Sequence, residues 1–233
     1  MRYAFLSLVA VLAIGCTSPK PTVEILRPAY LDAIKPIQVQ QANASEEFLV
    51  HLYRQGWEPA EGEEYINICT AGSINREQHL WLTAAHCVRD IGPEGRYINQ
   101  LPLTLVDVQF ELDVAVVKVD GFTAKELLMQ ITPPRWGQEL LVAGHPFGYP
   151  DIFVTRGTIA NPLVVLSNKR FMIFDVAGAP GNSGSPVLNL KGEMVSVLQI
   201  GWGRDFSPVT GGAPYVTLLT LAHHFTPRTD KVY

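Results

Sequence analysis

The chain is short of charge, of cysteine and of any apolar run long enough for a membrane, and each shortage excludes a class of protein. Charged residues are 17% of the 233 positions and the formal net charge is -4, which leaves no basic face for a nucleic-acid backbone and no acidic tail. No nucleic-acid partner is expected. The longest apolar run near the start, positions 4–14 interrupted by Ser7, is too short to cross a bilayer comfortably. No HExxH or other ligand-spaced cluster occurs, and His223 and His224 read as part of a terminal helix, so neither metal nor cofactor is expected. Apolar residues are plentiful: at 47% they supply a substantial core and argue against disorder. The length is ordinary for one all-β domain or two small barrels.

The first residues suit export. Arg2 gives a short positive start, the 4–14 run has the length of a signal-peptide core, and Gly15-Cys16 follows. Leu12-Ala13-Ile14-Gly15-Cys16 resembles a bacterial lipobox, although Ala13 stands where Leu is usual. That resemblance implies a signal over 1–15, lipidation of Cys16, a membrane partner through the lipid and residence in the cell envelope. Thr17 after the Cys, by the same resemblance, permits outer-membrane delivery. The alternative is an ordinary signal cut nearby, leaving Cys16 inert. Positions 16–46, with Pro19, Pro21, Pro28 and Pro36, read as an extended tether.

From position 47 onward short apolar or alternating runs are separated by Gly, Pro, Asn and Asp. They fall at 48–52, 65–69, 80–83, 103–108, 113–119, 139–143, 152–155, 171–176, 185–188 and 194–200. Many short strands without βα alternation predict a sandwich or barrel. Helices should be brief: one turn at 84–87, another at 125–129 and a terminal helix at 218–225. Pro133-Pro134 marks the best break between two sets of strands.

Three local patterns then arrive in the order His, Asp, Ser. The first is Leu82-Thr83-Ala84-Ala85-His86-Cys87, preceded by Cys69-Thr70-Ala71-Gly72-Ser73. The second is Leu112-Asp113-Val114-Ala115-Val116-Val117, a carboxylate heading an apolar strand; Asp107 and Asp120 lack that context. The third and most specific is Pro180-Gly181-Asn182-Ser183-Gly184-Ser185-Pro186. Together they resemble the chymotrypsin-like (trypsin-fold) serine proteases. That resemblance implies an all-β fold of two perpendicular six-stranded antiparallel barrels with a short C-terminal helix, divided at 47–131 and 132–225, with a tail at 226–233. It also implies His86 as general base, Asp113 orienting it, Ser183 as nucleophile, the N–H groups of Gly181 and Ser183 as oxyanion hole, and a Cys69–Cys87 bridge.

Gly144-His145-Pro146-Phe147-Gly148, Val154-Thr155-Arg156-Gly157-Thr158 and Asp175-Val176-Ala177 look like bacterial Deg/HtrA protease domains. The stretch after Ser185 is too short for the PDZ domain usual there, since independent domains rarely fall below about 50 residues. Ser185 in the Gly181-to-Pro186 motif also resembles glutamyl endopeptidases, but Gln199 occupies the place of their Glu-binding His. Asn182 replaces the Asp of trypsin-like zymogens, so activation should not need a newly cut N-terminus. Ala177 stands where an Arg/Lys-binding Asp would be. With Gln199, Ile200, Gly201 and Ala213 it is expected to form a neutral pocket for small or medium apolar P1 side chains, because a charged group would be desolvated without a partner. The expected substrate is a polypeptide; the alternatives are a non-catalytic envelope binding protein on the same fold, or an esterase. Nothing in the sequence indicates an oligomeric state.

Overall fold

The computed structural model describes residues 28–57, 62–89, 91–92, 94–166, 168–202 and 207–212. Helix α1 (Pro28–Leu31) leads into strand β1 (Ile34–Gln40), and helix α2 (Glu46–Arg54) follows. Next come β2 (Tyr65–Asn75), β3 (Leu80–Thr83), β4 (Tyr97–Ile98), β5 (Leu101–Pro102), β6 (Thr104–Gln109) and β7 (Val114–Lys118). A long connection carrying Pro133-Pro134 leads to β8 (Glu139–Gly144), β9 (Phe153–Leu166), β10 (Lys169–Gly178), β11 (Pro186–Asn189), β12 (Met194–Trp202) and β13 (Ser207–Gly212).

The first seven strands form one curled antiparallel sheet in the order β5-β4-β1-β2-β3-β7-β6. The remaining six close into a barrel, β10-β13-β12-β11-β8-β9. The second half therefore has the expected six strands, whereas the first is a seven-stranded sheet, one more than expected, in which β4 and β5 are only two residues long. The expected C-terminal helix at 218–225, His223 and His224 lie outside the described residues, as do the 1–15 signal and Cys16.

Strand β7 explains how the halves adhere. Val114, Ala115, Val116 and Val117 are all buried, because β3 and β6 flank the strand and each of its faces meets a core. Ala115 and Val117 point into the first sheet's own core with Ile37, Trp81 and Ile98. Val114 and Val116, one step along and so on the other face, join Ile34, Leu80 and Leu82 against Ala143, Leu188, Met194 and Val197 of the second barrel. The second barrel is filled by Leu140, Val142, Ile159, Met172, Phe174, Val187 and Val195.

Three expectations are corrected. The tether does not run to position 46: β1 lies inside it, pairs with β2 along its length and buries Ile34, Ile37 and Val39. Pro36 disguised this strand, yet its missing N–H is tolerated because β4 pairs only with Ile37 and Gln38. The 48–52 run is helical. Ser45 caps it by accepting the Phe48 N–H at 3.2 Å, Glu46 and Glu47 sit in its first turn and His51 and Arg54 in its last. Leu52 buries against Val39, Trp57 and Ile66. The expected helical turn at 125–129 is not formed: residues 125–128 are irregular, and Met129 bridges to Met194.

Candidate active site

His86 stands just beyond β3, in a single 3-10 turn over Ala85–Cys87. Ala84 and Ala85 are buried, so only small side chains fit beneath that turn. A disulfide joins Cys87 to Cys69, 18 residues earlier on β2, and pins the turn to the sheet. On its other flank, Arg96 Nε donates to the Cys87 carbonyl at 3.1 Å while its Nη1 pairs with Glu94 at 2.7 Å. Both charges are buried. Burial raises the Glu94 pKa, but the Arg96 hydrogen bond and charge, with the Glu94 and Gly92 backbone N–H groups, outweigh it and hold the carboxyl below its usual range.

Asp113 closes the turn before β7 in the left-handed region, at φ 49°, where Asp is among the few tolerated non-glycine residues. Both carboxylate oxygens serve His86: Oδ1 accepts its backbone N–H at 2.8 Å and Oδ2 meets Nδ1 at 2.7 Å. A carboxylate only accepts, so Nδ1 carries the proton and Nε2 keeps its lone pair. The side chains are 36% and 24% exposed, so the pair opens to solvent on one side.

Ser183 follows a reverse turn in which the Asn182 N–H donates to Ala179 O at 3.0 Å. Pro180 and Gly181 fill its centre, with Gly181 at φ 91°, the type II pattern. The Pro180 carbonyl accepts the Phe147 N–H at 2.7 Å, so in that planar peptide the Gly181 N–H points the opposite way. Among the described residues neither the Gly181 nor the Ser183 N–H donates to a protein acceptor. Glycine is required here: a Cβ on Gly181 would lie 2.3 Å from His145 O, and one on Gly184, at φ 83°, 2.1 Å from Thr70 O. Ser183 is half-buried. Its carbonyl accepts the Thr70 N–H at 2.8 Å and lies 3.7 Å from Cys87 Sγ, which brings the serine turn against the turn carrying His86.

Residues 69–197, which carry this arrangement, match the trypsin-like peptidase domain family. The chain belongs to that family. A probable periplasmic DegP-like serine endoprotease of Pseudomonas putida (strain F1) is 36% identical over 103 residues, 42% of this chain and 21% of that protein. Its counterpart in Halomonas elongata is 34% identical over 134 residues, 54% of this chain and 28% of that protein. This trypsin-like chain thus spans under a third of the length of either relative. Among solved structures, the active form of the Rv3671c protease of Mycobacterium tuberculosis superposes with a TM-score of 0.61 at 17% identity, covering 82% of this chain and 80% of that one. The HtrA-type protease AlgW with a decapeptide gives 0.65 at 19%, covering 84% and 64%. At such identities these structures establish the fold.

Of the expected pocket residues, Ala177 is exposed on β10, Ile200 and Gly201 lie on the backbone of β12, and Ala213 is outside the described residues. Gln199 is buried on β12, and its side chain donates to the Leu112 carbonyl and, at 3.0 Å, to that of Asp113. Sequence reading also passed over Thr70, whose partners lie on other segments, passed over the local Arg96–Glu94 pair that braces the Cys87 carbonyl, and gave His145 no role. His145 is buried. Its Nδ1 donates to Tyr149 O at 3.1 Å and its Nε2 has no partner among the described residues. Burial above all pushes its pKa down, with Lys35 acting in the same direction. The ligand atoms of Cys69, His86 and Cys87 lie within 4.8 Å of one another, but the sulfurs are spent in the disulfide and offer no thiolates to a cation.

Proposed function

We propose that this chain is a serine endopeptidase working through an acyl-enzyme on Ser183. The reading rests on the Asp113 carboxylate, which binds both the backbone and the ring of His86 beside the Ser183 turn. His86 Nε2 takes the Ser183 proton as Oγ attacks a peptide carbonyl, and Asp113 stabilises the imidazolium that forms. The N–H groups of Gly181 and Ser183 receive the developing oxyanion. His86 then gives the proton to the leaving amine, and water releases the acyl group by the same route in reverse. No metal or cofactor enters these steps.

A polypeptide substrate fits as an added strand. β11 accompanies β12 only from Met194 to Val197, and among the described residues no strand pairs with that side of β12 from Gln199 onward, which suits the addition of an extended peptide. Ala177 supplies no charge, which favours small or medium apolar P1 residues. The lipobox-like segment and the periplasmic relatives support export to the bacterial envelope, with Cys16 as lipid anchor.

Fluorophosphonate labelling tests the chemistry. Wild type should label stoichiometrically and Ser183→Ala not at all, and a peptide-library profile should then show apolar P1 residues. No labelling of folded, disulfide-intact protein would overturn the enzyme reading, and a profile dominated by Lys, Arg or Glu would overturn the pocket. Labelling without any peptide cleavage would point to an esterase.

A further inference from the structure

The two halves exchange support at the site. Thr70 belongs to the first sheet and is fully buried, yet its bonds reach the second barrel's serine turn. Its N–H binds the Ser183 carbonyl, and its hydroxyl donates to the Gly181 carbonyl at 3.0 Å while accepting the His145 N–H at 3.0 Å. The Thr83 hydroxyl in turn holds the Thr70 carbonyl at 2.8 Å. Gln199 belongs to the second barrel and is 4% exposed, yet both hydrogens of its amide nitrogen go to the first sheet's acid turn. They bind the carbonyls of Leu112 and Asp113, which belong to the two peptide groups flanking Asp113.

We propose that Thr70 and Gln199 are reciprocal positioning residues, each half of the molecule holding the catalytic turn of the other. The proposal rests on the serine-peptidase reading. Thr70 holds the peptide groups that follow Gly181 and Ser183, which adjoin in the chain the planar groups carrying the two oxyanion N–H donors, and so restrains where those donors aim. Gln199 fixes the peptide planes on both sides of Asp113, whose left-handed backbone is a conformation that surrounding bonds must maintain, and so fixes the direction in which its carboxylate leaves the chain. Neither residue touches a reacting atom. Each acts on a different component, so their losses carry different signatures, and separation of the halves would disorder both components together.

The test compares Thr70→Val, Gln199→Leu and the double variant with wild type. Two measurements are made: the second-order rate of inactivation by a fluorophosphonate, and the far-downfield proton resonance of the His86 Nδ1–H bonded to Asp113. Thr70→Val keeps the N–H bond to Ser183 and deletes only the hydroxyl. Its inactivation rate should fall by about 10- to 100-fold, the scale of misaligned catalytic groups, with the downfield resonance unchanged. Gln199→Leu should lower the rate by a similar factor and shift or broaden that resonance. Thr70→Ser, which keeps the hydroxyl, should recover most of the rate, and the double variant should show the product of the two single losses. Folded variants reacting within about twofold of wild type would overturn the proposal. So would a resonance that responds equally to both substitutions. Should Thr70→Val not fold, equal rates for Thr70→Ser and Thr70→Ala would overturn the Thr70 arm. Should Gln199→Leu not fold, Gln199→Met replaces it with the same readouts, and an unchanged resonance would overturn the Gln199 arm. A wild type that never labels refutes the peptidase reading itself, a result distinct from a reactive wild type with unaffected variants.

Discussion

The first sheet and the second barrel equip the site in different chemical currencies. The first contributes side chains, His86 and Asp113, aimed by a disulfide and by hydrogen bonds at both carboxylate oxygens. The second contributes mainly backbone, the N–H groups beside Ser183, aimed by a Pro-Gly turn and by the Phe147 N–H on the Pro180 carbonyl. Side-chain chemistry fails when a functional group changes. Backbone chemistry fails when a residue acquires a Cβ.

Substitutions on each side can break that contrast. The largest effect is expected on the side-chain half: Asp113→Asn should lower kcat by about 10⁴-fold, because an amide presents the wrong hydrogen-bonding to Nδ1 and the imidazolium loses its counter-charge. Turnover of fluorescent casein at substrate saturation checks it. On the backbone half, Gly181→Ala should cost about 10²- to 10³-fold in kcat, the loss of an oxyanion donor, since its Cβ would meet His145 O at 2.3 Å and force the turn aside. An alanine variant with normal kcat would show that the turn does not deliver the donor.

Stability sharpens the comparison further. The paired change Cys69→Ser and Cys87→Ser should lower stability by about 3 kcal/mol, as expected for a closed loop of this length, read as a fall in the urea midpoint. The smallest effect concerns His145, which packs beneath the serine turn. Its folded pKa lies below the unfolded value, so the unfolded chain binds the proton more readily. Stability should therefore begin to fall as pH drops through the ordinary imidazole value near about 6.5 and continue falling down to the folded pKa. Urea midpoints of wild type and His145→Gln between pH 8 and pH 5 should diverge over that interval, and parallel curves would refute it.

Legibility followed sequence distance. Strands such as β3 and β12 could be read because alternation and flanking turn residues act within a few positions. β1 was hidden by Pro36, and its place depends on β2 some thirty residues away. Helix α2 imitated a strand because a five-residue apolar run fits either period, and only Ser45 with the Glu46-Glu47 start speaks for a helix. At the site, His86, Asp113, Ser183 and Gly181 each sit in a distinctive local pattern. Gln199 did not: nothing near it indicates that its partners are Leu112 and Asp113.

The sequence by itself determined which chemistry is proposed here, because the hydroxyl of Ser183, the imidazole of His86 and the carboxylate of Asp113, and the glycine that lets the serine turn reach φ 91°, are properties of single residues and their immediate neighbours. Only the tertiary structure decided how those groups are aimed. Thr70, Gln199, Arg96 and the Phe147 N–H act on carbonyls that lie elsewhere in the chain, and the bonds of Thr70 and Gln199 come into being only when the sheet and the barrel close against one another over Val114, Val116, Leu188 and Met194.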